Sequence, residues 1–169
     1  MGFKEEIPRG GPLKARRINL ILDSLGNGLH YEEIQLRLNN DRQGFYGDFR
    51  GECSVTKVER VINLLPLTKY HINDVIEIPR YSYEDRVEKH DLEIFTDDQQ
   101  IGVIGVQVKS RNASVSKFYR HFDRDLDIAK QIAIQKKLIV LNGSLDNHII
   151  ERNFLDQLHA IQEYHQGQS

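Results

Sequence analysis

Residues 87–111 read VEKHDLEIFTDDQQIGVIGVQVKSR, and the fold turns on how they pair. Up to Thr96 apolar and polar side chains alternate, the DDQQ at 97–100 is turn-forming, and Ile101 to Val108 is apolar apart from its glycines and Gln107. This is the pattern of a half-buried strand, a turn and a more deeply buried returning strand. Residues two apart in a strand share a face, so Gln107 and Lys109 lie on one face of the returning strand and Val106 and Val108 on the other. Asp91 and Glu93 share a face of the outgoing strand for the same reason. A turn centred on Gln99 sets Asp91 opposite Gln107. A carboxylate, an amide oxygen and an ammonium then meet at the end of a strand otherwise built for burial.

The flanking sequence supplies the rest of a sheet. SVTKVERVINLL, from Ser54, carries Val55, Val58, Ile62 and Leu65 at helical spacing, opens on half a capping box at Ser54 and Lys57, and stops before Pro66. HINDVIEIPRYS, from His71, alternates as a strand does. SKFYRHFDRDLDIAKQIAIQKK, from Ser116, is expected to form a single amphipathic helix capped by Ser116, with Phe118, Phe122, Leu126, Ala129 and Ala133 on its apolar stripe. LIVLNG then reads as a short buried strand, and NHIIERNFLDQLHAIQEYH as a last helix burying Ile150, Phe154, Leu158 and Ile161. Three sequential strands form an antiparallel meander, and the strand arriving after the long helix joins by a crossover. The expected fold is α/β, a mixed sheet with helices on its faces, in the order helix, three strands, helix, strand, helix.

The first 50 residues read as an extension. MGFKEEIPRGGP is a flexible arm, RRINLILDSLGNG and YEEIQLRLN are short helices, and NDRQGFYGDFRG, from Asn40, is expected to be a glycine-rich loop. The division predicted is therefore 1–50 for the arm and helical extension and 51–169 for the core.

With 23 basic and 25 acidic residues in 169, the formal charge of -2 neither announces nor excludes a nucleic-acid partner, because a field can be local. The single cysteine, Cys53, rules out an internal disulfide framework and fits a reducing, cytoplasmic setting. No apolar run approaches the roughly 18 residues needed to span a bilayer, so no membrane partner is expected. The seven histidines show no zinc spacing, and neither GNG nor RGG has the context of a nucleotide-binding glycine motif.

The hairpin patch suits phosphodiester hydrolysis. Carboxylate and amide oxygens are hard ligands fit for Mg²⁺, which stabilises charge on a phosphate and lowers the pKa of a bound water. A lysine alongside orients that water, takes part in its deprotonation, or stabilises the phosphate electrostatically. Basic residues gather just after the patch: Lys109, Arg111, Lys117, Arg120, His121 and Arg124, with Ser110, Asn112 and Ser114 as small donors, a loop and helix start suited to phosphates. Arg9, Lys14, Arg16 and Arg17 form a second basic group, read as an arm that tracks DNA.

From about Gly51 to Gly143 the chain resembles the PD-(D/E)XK nuclease superfamily, whose core runs helix, three strands, helix, strand. The family signature is an Asp on the second strand and an acid or Gln two residues before a Lys on the third; HDLEI matches with Asp91, and IGVQVKS with Gln107 and Lys109. The resemblance is to the variant with Gln in place of the second acid, and the residue before Asp91 is His90 where the family has Pro. It implies a restriction-endonuclease-like fold and a Mg²⁺- or Mn²⁺-dependent DNA endonuclease. Asp91 and Gln107 would be metal ligands, Lys109 would be catalytic, and a helix acid falling on Glu59 or Glu52, or else Glu93, would complete the site. Restriction or homing types are favoured over junction resolvases and repair nickases, and cutting both strands implies a homodimer or higher assembly. The competing reading takes the three N-terminal helices with HINDVIEI and VEKHDLEIF as a winged-helix DNA-binding regulator without catalysis. A third is a nuclease-like interaction domain that has lost activity.

Overall fold

A computed structural model of the chain describes the backbone of residues 11–40, 42–78 and 90–167, and the side chains of 18–38, 51, 53–78 and 90–167. The chain divides into two compact units, Met1–Cys53 and Ser54–Ser169.

In the first unit α1 (Gly11–Gly26) and α2 (Tyr31–Asn40) form a helical hairpin, turned at Gly28 with φ 73°. Ser24 is buried, donates to the Leu20 carbonyl at 2.7 Å and accepts from the Arg37 guanidinium at 2.9 Å, which ties the two helices together. Ile18, Leu22 and Leu25 keep their helical spacing but stand exposed.

The next helix, α3 (Arg42–Asn63), crosses the boundary between the units and corrects two expectations. The segment expected to be a loop is helical from Arg42, and Ser54 lies within the helix instead of capping it. No proline interrupts 42–63. Each glycine costs about 1 kcal/mol relative to alanine without breaking the helix, and a helix anchored downstream extends with no second nucleation cost. Ser54 is buried against Gly143, where an added Cβ would lie 2.7 Å from the serine Cβ.

The second unit is built on one sheet, in the order β1-β2-β3-β4. β1 (Ile72–Glu77), β2 (Leu92–Thr96) and β3 (Val103–Lys109) form the antiparallel meander, and β4 (Leu138–Asn142) joins β3 in parallel. β1 and β2 are thus half of a four-stranded sheet and not a separate two-stranded wing. Asp98 builds the β2–β3 turn: its side chain accepts from the Gln100 N–H at 2.9 Å, and its carbonyl accepts from the N–H groups of Ile101 and Gly102. Gly102 takes the positive φ of 67° that the return requires.

Each sheet face has its own core. Leu92, Ile94, Ile104, Val106, Val108, Ile139 and Leu141 pack with Val58, Ile62 and Leu65 of α3 and with Ile150, Phe154, Leu158 and Ile161 of α6 (Asn147–Gln166). On the other face Leu138 and Val140 pack with Phe118, Tyr119, Ala129 and Ala133. The helix expected there is two helices, α4 (Asn112–Tyr119) and α5 (Leu126–Gln135). Asp125 makes the break: its carboxylate accepts from the N–H groups of Asp127 and Ile128, so it caps a new helix. α4 starts at Asn112, which puts Ser116 in its interior and not at its cap. The apolar stripe survives the break, because Phe122 and Leu126 still pack against the same cluster.

β4 is an edge strand, and its outward backbone groups at Val140 are closed by a side chain. Gln157 of α6 accepts from the Val140 N–H and donates to the Val140 carbonyl, both at 2.9 Å. The Tyr119 hydroxyl, whose pKa burial pushes up to about 12, donates to the same Gln157 oxygen at 3.3 Å.

Candidate functional site

In the β2–β3 ladder Leu92 pairs with Val106 and Ile94 with Ile104, and the ladder ends at Leu92, one residue after Asp91. Asp91 lies just before β2, with its N–H on the Val106 carbonyl at 2.8 Å and its carbonyl on the Ile78 N–H at 2.9 Å. β2 has no further strand residue to meet Val108, and the Asp91 carboxylate takes the place of that carbonyl. Its Oδ2 accepts from the Val108 N–H at 2.7 Å and from Gln107 Nε2 at 2.8 Å. The aspartate closes the strand end as well as facing the patch.

That bond fixes the Gln107 amide, since a carboxylate accepts and only the NH₂ end can donate to it. The opposite end, Oε1, has no partner among the described residues, although Gln107 is only 8% exposed. A buried acceptor without a donor is uncommon and marks where a cation or water belongs. Beside the carboxylate of Asp91 it forms a pair of hard oxygen ligands that fits a divalent cation.

Glu93 and Gly105 are cross-strand partners next to this pair, and His90 sits over them. His90 Nδ1 lies 3.2 Å from Glu93 Oε1, with both side chains largely buried. A Cβ on Gly105 would come within 2.2 Å of His90 Nε2, so only glycine leaves room for the ring. The His90 ring thus packs on the sheet. The signal in the sequence was an isolated glycine inside a strand, which marks a close approach.

Lys109 shares this face and is half-buried. It makes no ion pair with Asp91; its ammonium lies 5.1 Å from the Phe118 ring centroid. Phe118, read from the sequence as a stripe residue alone, is also the partner of this lysine.

Glu59 faces elsewhere. It lies on α3, which packs on the Val106–Val108 face, and its charge acts on Glu77 at the end of β1. Burial, with the Glu59 carboxylate adding to it, raises the Glu77 carboxyl above the usual range. The apolar side chains of α3 cover the face opposite Gln107 and Lys109. The Glu52 side chain lies outside the described residues. Among the described residues no three His, Cys, Asp or Glu side chains gather as a metal-binding group, so the candidate centre is one carboxylate and one amide oxygen.

The basic segment follows directly. Ser110 and Arg111 lead from β3 into α4, whose N-cap Arg111 supplies no side-chain cap. Arg111, Lys117, Arg120 and Arg124 are exposed and make no ion pair among the described residues. Ser114 is half-buried, and Asn112 Oδ1 accepts from the Asn142 side-chain NH₂ at 2.8 Å. The side chains of Arg16 and Arg17, and all of Arg9, lie outside the described residues. No helix among the described residues is long and apolar enough to cross a membrane.

No family model, curated protein or solved structure matches the chain.

Proposed function

We propose that the chain is a metal-dependent DNA endonuclease with a restriction-endonuclease-like core, of restriction or homing type, working as a homodimer when both strands are cut. The observation that carries this reading is the Asp91–Gln107 pair, one carboxylate bonded to the NH₂ of a buried amide whose oxygen has no donor among the described residues, on the same sheet face as Lys109. The order of elements around the pair, α3, β1 to β3, α4 and α5, then β4, supports it.

Asp91 and Gln107 would hold Mg²⁺ or Mn²⁺, and Glu93 is the nearby carboxylate able to add charge by releasing His90. Bound there, such a cation stabilises charge on a phosphate oxygen and lowers the pKa of a coordinated water. Lys109 brings its ammonium to the scissile phosphate. Arg111, Lys117, Arg120 and Arg124 hold neighbouring phosphates and fix the register of the backbone. With one carboxylate and a neutral amide, the site would leave the cation most of its waters and bind it weakly.

The test is cleavage of supercoiled plasmid DNA in Mg²⁺ beside Asp91→Ala and Lys109→Ala. Conversion to nicked or linear product is expected from the unsubstituted protein and not from either variant, and EDTA is expected to abolish it. Cleavage that survives EDTA and both substitutions removes the reading.

A further inference from the structure

We infer that Phe118 is the positioning residue for Lys109, its ring holding the ammonium on its face; the inference rests on the nuclease reading of the same face. Two neighbours that could have paired with the lysine are otherwise committed. The residue two positions before it is the neutral Gln107, and Asp91 Oδ2 is held by Gln107 and the Val108 N–H. Among the described residues Lys109 makes no ion pair, and its ammonium lies over the Phe118 ring, 5.1 Å from the centroid. The face of an aromatic ring is the negative end of its quadrupole and attracts a cation within about 6 Å.

The ring is itself rigidly placed. Phe118 is buried in the second core, at the penultimate position of α4, and meets Phe122 edge to face with centroids 5.6 Å apart. β3 runs into α4 through only Ser110 and Arg111, so this helix folds back over the face that Lys109 occupies. The backbone at Lys109 is fixed too, because its carbonyl accepts from the Gly143 N–H at 2.8 Å. A long, flexible side chain with a fixed root and a fixed partner at its tip has few remaining rotamers. Phe118 thus acts on the reaction through Lys109 and touches no substrate.

NMR of protein carrying ¹³C-labelled lysine tests this without any assumption about catalysis, with Lys109→Arg identifying the resonance. The Lys109 ε-methylene protons are expected to be shifted upfield by the ring current, to keep that shift in Phe118→Tyr, and to lose it in Phe118→Met, which retains apolar bulk. An unshifted Lys109 signal in the unsubstituted protein overturns the inference, whether or not any variant folds. In the plasmid assay Phe118→Met is expected to lower kcat roughly two- to thirtyfold with KM unchanged, and Phe118→Tyr to restore it. Full kcat in Phe118→Met, with Lys109→Ala inactive, overturns the inference and leaves the nuclease reading standing. Full cleavage by Lys109→Ala removes the role of Lys109 in the reaction, and with it that of Phe118, whatever the ring-current shift.

Discussion

On one face of β3, Ile104, Val106 and Val108 are buried among the side chains of α3 and α6; on the other, Gly105, Gln107 and Lys109 meet His90, Asp91, Glu93 and Phe118. One strand therefore serves two ends. The first face answers only to packing, so any apolar residue of the right volume suits it. The second contains a glycine that admits a ring, an amide whose oxygen has no donor among the described residues and a lysine set on an aromatic face, and each depends on the chemical identity of the residue. Substitutions are expected to separate the two faces into one of stability and one of activity.

The largest effect is expected from Asp91→Ala, which removes a charged oxygen from the patch and the acceptor of two donors. Cleavage should fall by roughly a hundredfold or more, as when a preorganised electrostatic group is lost. The vacated Val108 N–H and Gln107 amide should cost about 1–3 kcal/mol in denaturant unfolding. Ile104→Ala, on the opposite face, should cost more stability, about 2–5 kcal/mol, and leave kcat intact in the folded fraction. Loss of kcat there would break the distinction between the faces. Gly105→Ala sharpens it: the new Cβ must displace His90, with an expected cost of about 1–3 kcal/mol and a shifted His90 ring signal in NMR.

The smallest effect concerns Glu77. Its folded pKa lies above its unfolded value, so its contribution to stability is complete at low pH and is lost as pH rises through the folded pKa. Glu77→Gln is expected to raise the melting temperature slightly at neutral pH and leave it unchanged at about pH 3, below the unfolded carboxylate range. Asp98 has the opposite sign. The hydrogen bond from the Gln100 N–H leads the effects that lower its pKa, so what it contributes to the turn is lost as pH falls.

The hairpin was legible because strand periodicity and a centred turn leave a single register for β2 and β3; Asp91 lies just past the end of that ladder and meets Gln107 through its side chain. The buried stripe of α6 was legible because its four apolar positions recur at steps of three and four. The break between α4 and α5 was not, since the stripe from Phe118 to Ala133 runs through it unchanged; the clue was Asp125, a capping residue that a purely apolar pattern ignores. The start of α3 was hidden by its glycines, whose loop propensity the anchored part of the helix overrides. Glu59 shows a different limit. Helical spacing places a residue on a helix but does not say which sheet face that helix will cover, and α3 covers the face away from Lys109. Phe118 was legible as core and illegible as a partner of Lys109, because that contact depends on α4 folding back over β3.

The most direct test of the account is paramagnetic broadening by Mn²⁺, followed in ¹⁵N-labelled protein with Asp91→Asn as the control. The account predicts that the Gln107 side-chain amide and the Val108 N–H broaden first, at substoichiometric Mn²⁺, and that both stay sharp in Asp91→Asn. Broadening that begins around Glu59 and Glu77, or that leaves Gln107 and Val108 untouched, would contradict it.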